Sequence, residues 1–227
     1  MMLRARQAWW WLLDYVYVVK WQLRGALSRA KPGDFTDGDL APVLILPGIY
    51  ETWQFMRPLI DTLHKRGHPV HVVPALRRNS RPVARSAEVV AEYLDRQGLG
   101  DVTIVAHSKG GLIGKYVMTL PGMDARVSGM VAISTPFSGS RYARFLVIPS
   151  LRAFSLTDPG MLALAKEQRV NSRILSIFGK FDPHIPESSV LPGAHNRQMD
   201  VGGHFRILGF APTTDVVVEF VERAHAA

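Results

Sequence analysis

The sequence predicts an α/β domain with a mainly parallel sheet, helices on both faces, and a small cap or none. Three observations carry this. Short aliphatic and β-branched runs recur at Pro42–Leu46, Val70–Val73, Val102–Ala106, Val127–Ser134 and Arg173–Gly179. They lack polar alternation, which suits strands buried on both faces. Between them lie longer stretches with apolar residues at helical spacing, near residues 52–66, 83–97 and 111–120. Turns containing Gly or Pro separate the two types, so strand and helix alternate. That rhythm implies right-handed crossovers and a parallel sheet, whose ligands sit outside the carboxyl ends of the strands.

The chain has 227 residues, 47% of them hydrophobic, enough for one sizeable domain with a full core. It has no cysteine, which excludes disulfides and thiolate metal sites. The net charge of +8 favours an anionic partner surface. No zinc-finger or RNP pattern is present, so lipid head groups fit better than nucleic acid. A merely solvated basic surface is the other reading.

Residues 1–31 stand apart. They carry six basic side chains (Arg4, Arg6, Lys20, Arg24, Arg29 and Lys31) against the single carboxylate of Asp14. Between the basic flanks runs Ala8 to Val19, rich in Trp and Tyr. A bilayer span takes about twenty apolar residues, and this run is shorter and interrupted by Asp14. A secretory signal fits poorly, because no Ala-x-Ala site follows. Two readings remain open: a helix lying in a membrane interface, or one packing its aromatic face on protein. The expected location is the cytoplasm, and the first reading adds a peripheral place at the inner face of the membrane. Residues 32–40 read as a linker, with Pro32 and Gly33 ending the helix.

The domain proper starts near Ala41. Pro42–Leu46 runs into Pro47-Gly48-Ile49-Tyr50-Glu51, then a helix over residues 52–66. Gly48 allows close backbone approach at the end of that strand. Val70–Val73 follows, then four arginines (Arg77, Arg78, Arg81 and Arg85) in a loop and first helical turn.

The stretch Asp101–Leu120 organises the rest. A buried strand leads into Ala106-His107-Ser108-Lys109-Gly110, and a helix follows. A serine on a sharp strand-to-helix turn needs small neighbours on either side, and Ala106 and Gly110 supply them. This segment resembles the nucleophile elbow of the α/β-hydrolase superfamily, with Ala in the first position as in some bacterial lipases.

The resemblance covers about residues 41–223 and implies roles for other positions. Ser108 is the implied nucleophile, and the N–H groups of Ile49 and Lys109 are the implied oxyanion donors. Gly48, Tyr50 and Phe137 fall on substrate-facing loops. Ser134–Ser140 resembles a lipase segment in which His stands where this chain has Phe137. Residues 141–170, with apolar Phe145, Leu146 and Val147, read either as a short lid or as an ordinary connection. Asp182 follows the Arg173–Gly179 strand and precedes Ile185-Pro186, the superfamily's place for the acid. His204, between a last strand near 196–199 and a final helix near 213–223, takes the place of the base. His184, two residues from Asp182, is its main rival. The order Ser108, Asp182, His204 matches the superfamily.

The implied activity is hydrolysis of hydrophobic carboxylic esters or lipids through an acyl-enzyme, with no metal or cofactor required. Acyltransferase or thioesterase chemistry, and a non-catalytic membrane-associated binding module, are the alternatives. Oligomeric state is not specified by the sequence.

Overall fold

A computed structural model describes residues 2–143, 148–152 and 154–224. Among them, six strands form one sheet in the order β2-β1-β3-β4-β5-β6. They are β1 (Val43–Leu46), β2 (Val70–Val72), β3 (Val102–His107), β4 (Val127–Ile133), β5 (Ile174–Phe181) and β6 (His195–Gly202). Every neighbouring pair is parallel. The chain leaves β1 toward β2, then returns to the other side of β1 with β3. The ends of β1 and β3 therefore flank the point where strand order reverses, the usual crevice of an open α/β sheet.

Side-chain alternation divides the core. Leu44 and Leu46 pack on one face of the sheet and Val43 and Ile45 on the other, as the two-residue pleat requires. The first face is covered by α3 (Val83–Arg96) and α4 (Lys109–Thr119), the second by α2 (Arg57–Lys65) and α7 (Ala211–Ala224). The helix expected over 52–66 opens instead as a 3-10 turn at Trp53–Met56, and α2 begins at Arg57, because Pro58 is suited to a first helical turn. The edge strand β6 exposes His195, Asn196, Arg197 and Gln198, polar cover of the kind that discourages edge pairing.

The N-terminal segment forms one long helix, α1 (Met2–Leu27). Tyr17 and Trp21 are buried in the second core, and the Tyr17 hydroxyl donates to the Phe55 carbonyl at 2.9 Å. The opposite stripe of α1 is apolar and open: Trp9, Leu12, Val16, Val19, Leu23 and Leu27 are each 53–82% exposed. Among the described residues, no helix is long and apolar enough to cross a membrane. Residues 32–40 are mostly exposed, and Phe35 alone among them is buried, against Trp53 and under the Arg57 guanidinium. Two short helices follow β4, α5 (Pro149–Arg152) and α6 (Pro159–Lys166). Phe145, Leu146 and Val147 of the lid segment lie outside the described residues.

Candidate active site

Ser108 sits between β3 and α4 at φ 50° and ψ −119°. A non-glycine residue rarely adopts this conformation, and here the surrounding packing enforces it. A Cβ at Gly110 would lie 2.0 Å from the Leu46 carbonyl oxygen, so only glycine lets α4 start this close to β1. The turn lifts the Ser108 hydroxyl above the sheet at the N-terminus of α4.

His204 reaches Ser108 from the loop after β6. Its Nε2 lies 3.0 Å from Ser108 Oγ and its Nδ1 lies 2.7 Å from Asp182 Oδ2. Asp182, in the loop after β5, also accepts from the backbone N–H groups of His184 (2.8 Å) and Ile185 (3.0 Å) through Oδ1. The carboxylate is thus fixed at both oxygens, and Nδ1 of His204 carries the proton donated to it. This leaves Nε2 as the acceptor facing the hydroxyl.

The electrostatics agree with that assignment. Burial alone would disfavour a charged His204. The Asp182 carboxylate and its hydrogen bond, with the more distant charges of Glu51 and Asp14, outweigh burial and raise the His204 pKa. Burial pushes the Asp182 carboxyl up, but His204 and the backbone donor at His184 hold it below the ordinary range. His184 packs beside His204 with ring centroids 5.0 Å apart. Burial and the nearby His204 charge depress its pKa to about 4, so it stays neutral where His204 titrates.

Ser108 and His204 open onto a cleft of about 490 Å³. Its walls are mainly apolar, including Ile49, Phe55, Leu151 and Phe154, and α1 contributes Val18 and Gln22. Tyr50 stands at the mouth, and its hydroxyl shares a 2.7 Å hydrogen bond with Ser150 Oγ of α5. Ile49 lines the same cleft, and Lys109 heads α4, where its N–H has no intrahelical acceptor. Gly48 donates its N–H to Glu51 Oε2 at 2.8 Å, and a Cβ there would lie 2.5 Å from Glu51 Oε1. Gly48 therefore seats Glu51 rather than lining the cleft. Phe137 lies in the turn after β4. It is buried in the core, with the Lys115 ammonium 6.0 Å from its ring centre, and the cleft wall is formed by its neighbour Pro136.

Three groups that sequence reasoning missed complete the surroundings. Glu51 pairs with His107 Nδ1 at 2.8 Å, and His107 Nε2 reaches the His204 carbonyl at 2.9 Å. His107 is thus held at both ring nitrogens. Asn79 donates to the Pro47 carbonyl at 2.8 Å. Lys109 Nζ donates to the carbonyls of Asn79 and Arg81, and burial lowers its pKa to about 8. The third, Asp14, belongs to α1. Its signal in the sequence was a lone carboxylate within an apolar helix, a charge that needs a partner when buried. Among the described residues, no cluster of three or more His, Asp or Glu side chains is arranged to hold a metal ion.

The all-parallel six-stranded sheet flanked by helices is that of the α/β-hydrolase fold, and the chain has that fold. The sequence matches no protein-family model and no curated protein. Solved structures resemble it at low identity. A mature lipase from Bacillus licheniformis superposes with a TM-score of 0.63 at 14% identity, covering 85% of this chain and 99% of that one. A thermophilic esterase from Thermogutta terrifontis gives 0.58 at 16%, covering 83% and 92%. A hydrolase from Oleispira antarctica gives 0.57 at 16%, covering 82% and 93%.

Proposed function

We propose that the protein is a serine carboxylic ester hydrolase acting on hydrophobic acyl esters. The observation that carries this reading is the unbroken line of hydrogen bonds from Ser108 through His204 to Asp182, set beneath an apolar cleft. Ser108 Oγ attacks the ester carbonyl while His204 Nε2 takes its proton. Asp182 stabilises the imidazolium and holds the ring in the useful tautomer. The N–H groups of Ile49 and Lys109 stabilise the oxyanion. His204 returns the proton to the departing alkoxide, and an acyl-enzyme remains. Water, activated by the same His204, releases the acid. The acyl chain lies against Phe55, Leu151 and Phe154.

The apolar stripe of α1 supports a second element of the proposal, contact with an anionic lipid surface. Exposed Trp and aliphatic side chains form the stripe, and Lys20 and Arg24 lie along its flank over the Trp21 ring. These are the residue types of a bilayer interface. The same helix forms part of the cleft wall, so a lipid-bound α1 would hold the cleft near its substrate.

The test is hydrolysis of p-nitrophenyl esters from acetate to palmitate, with labelling by a fluorophosphonate. Ser108→Ala and His204→Ala should each lose at least about a thousandfold in kcat/KM. Ser108→Ala should also abolish labelling. Undiminished turnover in Ser108→Ala would overturn the mechanism. Faster release of the acyl group by an added alcohol or thiol than by water would make the protein a transferase on the same site.

A further inference from the structure

The N-terminal helix delivers a fully buried carboxylate to the loop that carries His204. Asp14 Oδ2 accepts from the His204 backbone N–H at 2.9 Å. Its Oδ1 accepts from the N–H groups of Phe205 (2.8 Å) and Arg206 (2.7 Å). These peptides open the 3-10 turn Arg206–Gly209, whose first N–H groups have no partner within the turn. The His204 carbonyl is held as well, accepting from His107 Nε2 at 2.9 Å. The backbone of this one residue is thus fixed on both sides by buried ionisable groups.

The loop is shaped to receive α1. A Cβ at Gly203 would lie 2.5 Å from Asp14 Oδ1, one at Gly202 2.2 Å from the Trp10 ring, and one at Gly209 2.7 Å from the Tyr17 ring. Trp10, Asp14 and Tyr17 follow one another along a single helix face. An apolar side chain there would avoid the cost of burying charge but would leave the N–H groups of residues 204–206 without this acceptor. What the carboxylate adds is two acceptor oxygens that take three N–H groups, and a negative charge beside the base.

We propose that Asp14 is a positioning residue for His204: it fixes the backbone that presents the imidazole to Ser108, and its charge favours the imidazolium formed when Ser108 loses its proton. The proposal rests on the reading of Ser108, Asp182 and His204 as catalytic. The ionisable groups around His204 are Asp182 and His184 from the loop after β5, Glu51 from the loop after β1, His107 from β3, and Asp14 from α1.

Asp14→Asn separates this role from simple packing. The amide keeps the shape and one acceptor, but turns a donor toward one side of the loop. A displacement of about 1 Å in a catalytic group can cost about a hundredfold in rate. The expected result is a fall in kcat of about 10- to 100-fold with KM little changed. The acid limb of kcat/KM should also move to lower pH, because one charge favouring the imidazolium is gone. A smaller folded fraction would lower the apparent kcat and leave the limb in place.

Hydrogen exchange in the wild-type protein gives a reading independent of any variant. The amides of residues 204–206 should be protected as strongly as those of the sheet. Wild-type kcat with an unmoved limb in Asp14→Asn, or open-loop exchange at these amides, would overturn the proposal. Full activity in His204→Ala, measured alongside, would instead overturn the reading beneath it.

Discussion

Ser108 and His204 divide one proton between them, and their surroundings decide where it rests. The raised His204 pKa fixes the pH dependence. On the proposed mechanism the base must be neutral to accept the serine proton, so activity should be absent where the imidazolium predominates. The acid limb of kcat/KM should therefore inflect above the ordinary histidine value of about 6.5. A profile of p-nitrophenyl acetate hydrolysis from pH 5 to 9 checks this, and a limb below that value would contradict the described environment. The same shift has a stability consequence. A group with a raised folded pKa contributes stability that is fully present below its unfolded pKa and is lost as pH rises through the folded value. Asp182, held low, behaves oppositely: its contribution is present above its unfolded pKa and is lost as pH falls through the folded one.

At the scale of elements, α1 is a structural part of the domain. It is anchored by buried Tyr17 and Trp21 and received by glycines of the β6 loop. Gly202→Ala should push the Trp10 ring away from its seat, since the new Cβ would meet rigid ring atoms at 2.2 Å. The expected outcome is faster proteolytic cleavage within residues 2–27 while the rest of the domain resists, read by limited trypsin digestion. Equal digestion rates would show that the helix adapts. The sequence made the strands, the serine turn, and the loop positions of Asp182 and His204 legible, because each has a local signature at the end of a strand. Asp14, Glu51 and Asn79 were not legible. Their partners lie in distant parts of the chain or in backbone groups, and no local pattern marks a carboxylate that caps another segment's amides.

At the scale of the whole molecule, the excess of positive charge and the exposed stripe of α1 make a joint prediction. The protein should float with phosphatidylcholine vesicles that contain phosphatidylserine, and less with vesicles that lack it. Charging the stripe with Val16→Asp and Val19→Asp should weaken binding at least about tenfold, because a buried Val side chain contributes about 1.5–3 kcal/mol. These positions lie outside the cleft, so hydrolysis of soluble p-nitrophenyl acetate should be unaffected. Absence of vesicle binding, with sedimentation as a dimer that the double variant abolishes, would assign the stripe to a second copy of the chain.

The bond between Asp14 and the His204 backbone spans 190 residues of sequence. Synthesis proceeds from the N-terminus, so a growing chain presents the aromatic helix long before the segment it must hold. Closing so wide a separation also carries an entropic penalty that local strand and helix contacts do not face. The contacts that fix the His204 loop can therefore close only after nearly the whole chain has been made. On the proposed reading of Ser108, His204 and Asp182, catalytic competence would arrive when that distant loop settles onto a carboxylate already in place.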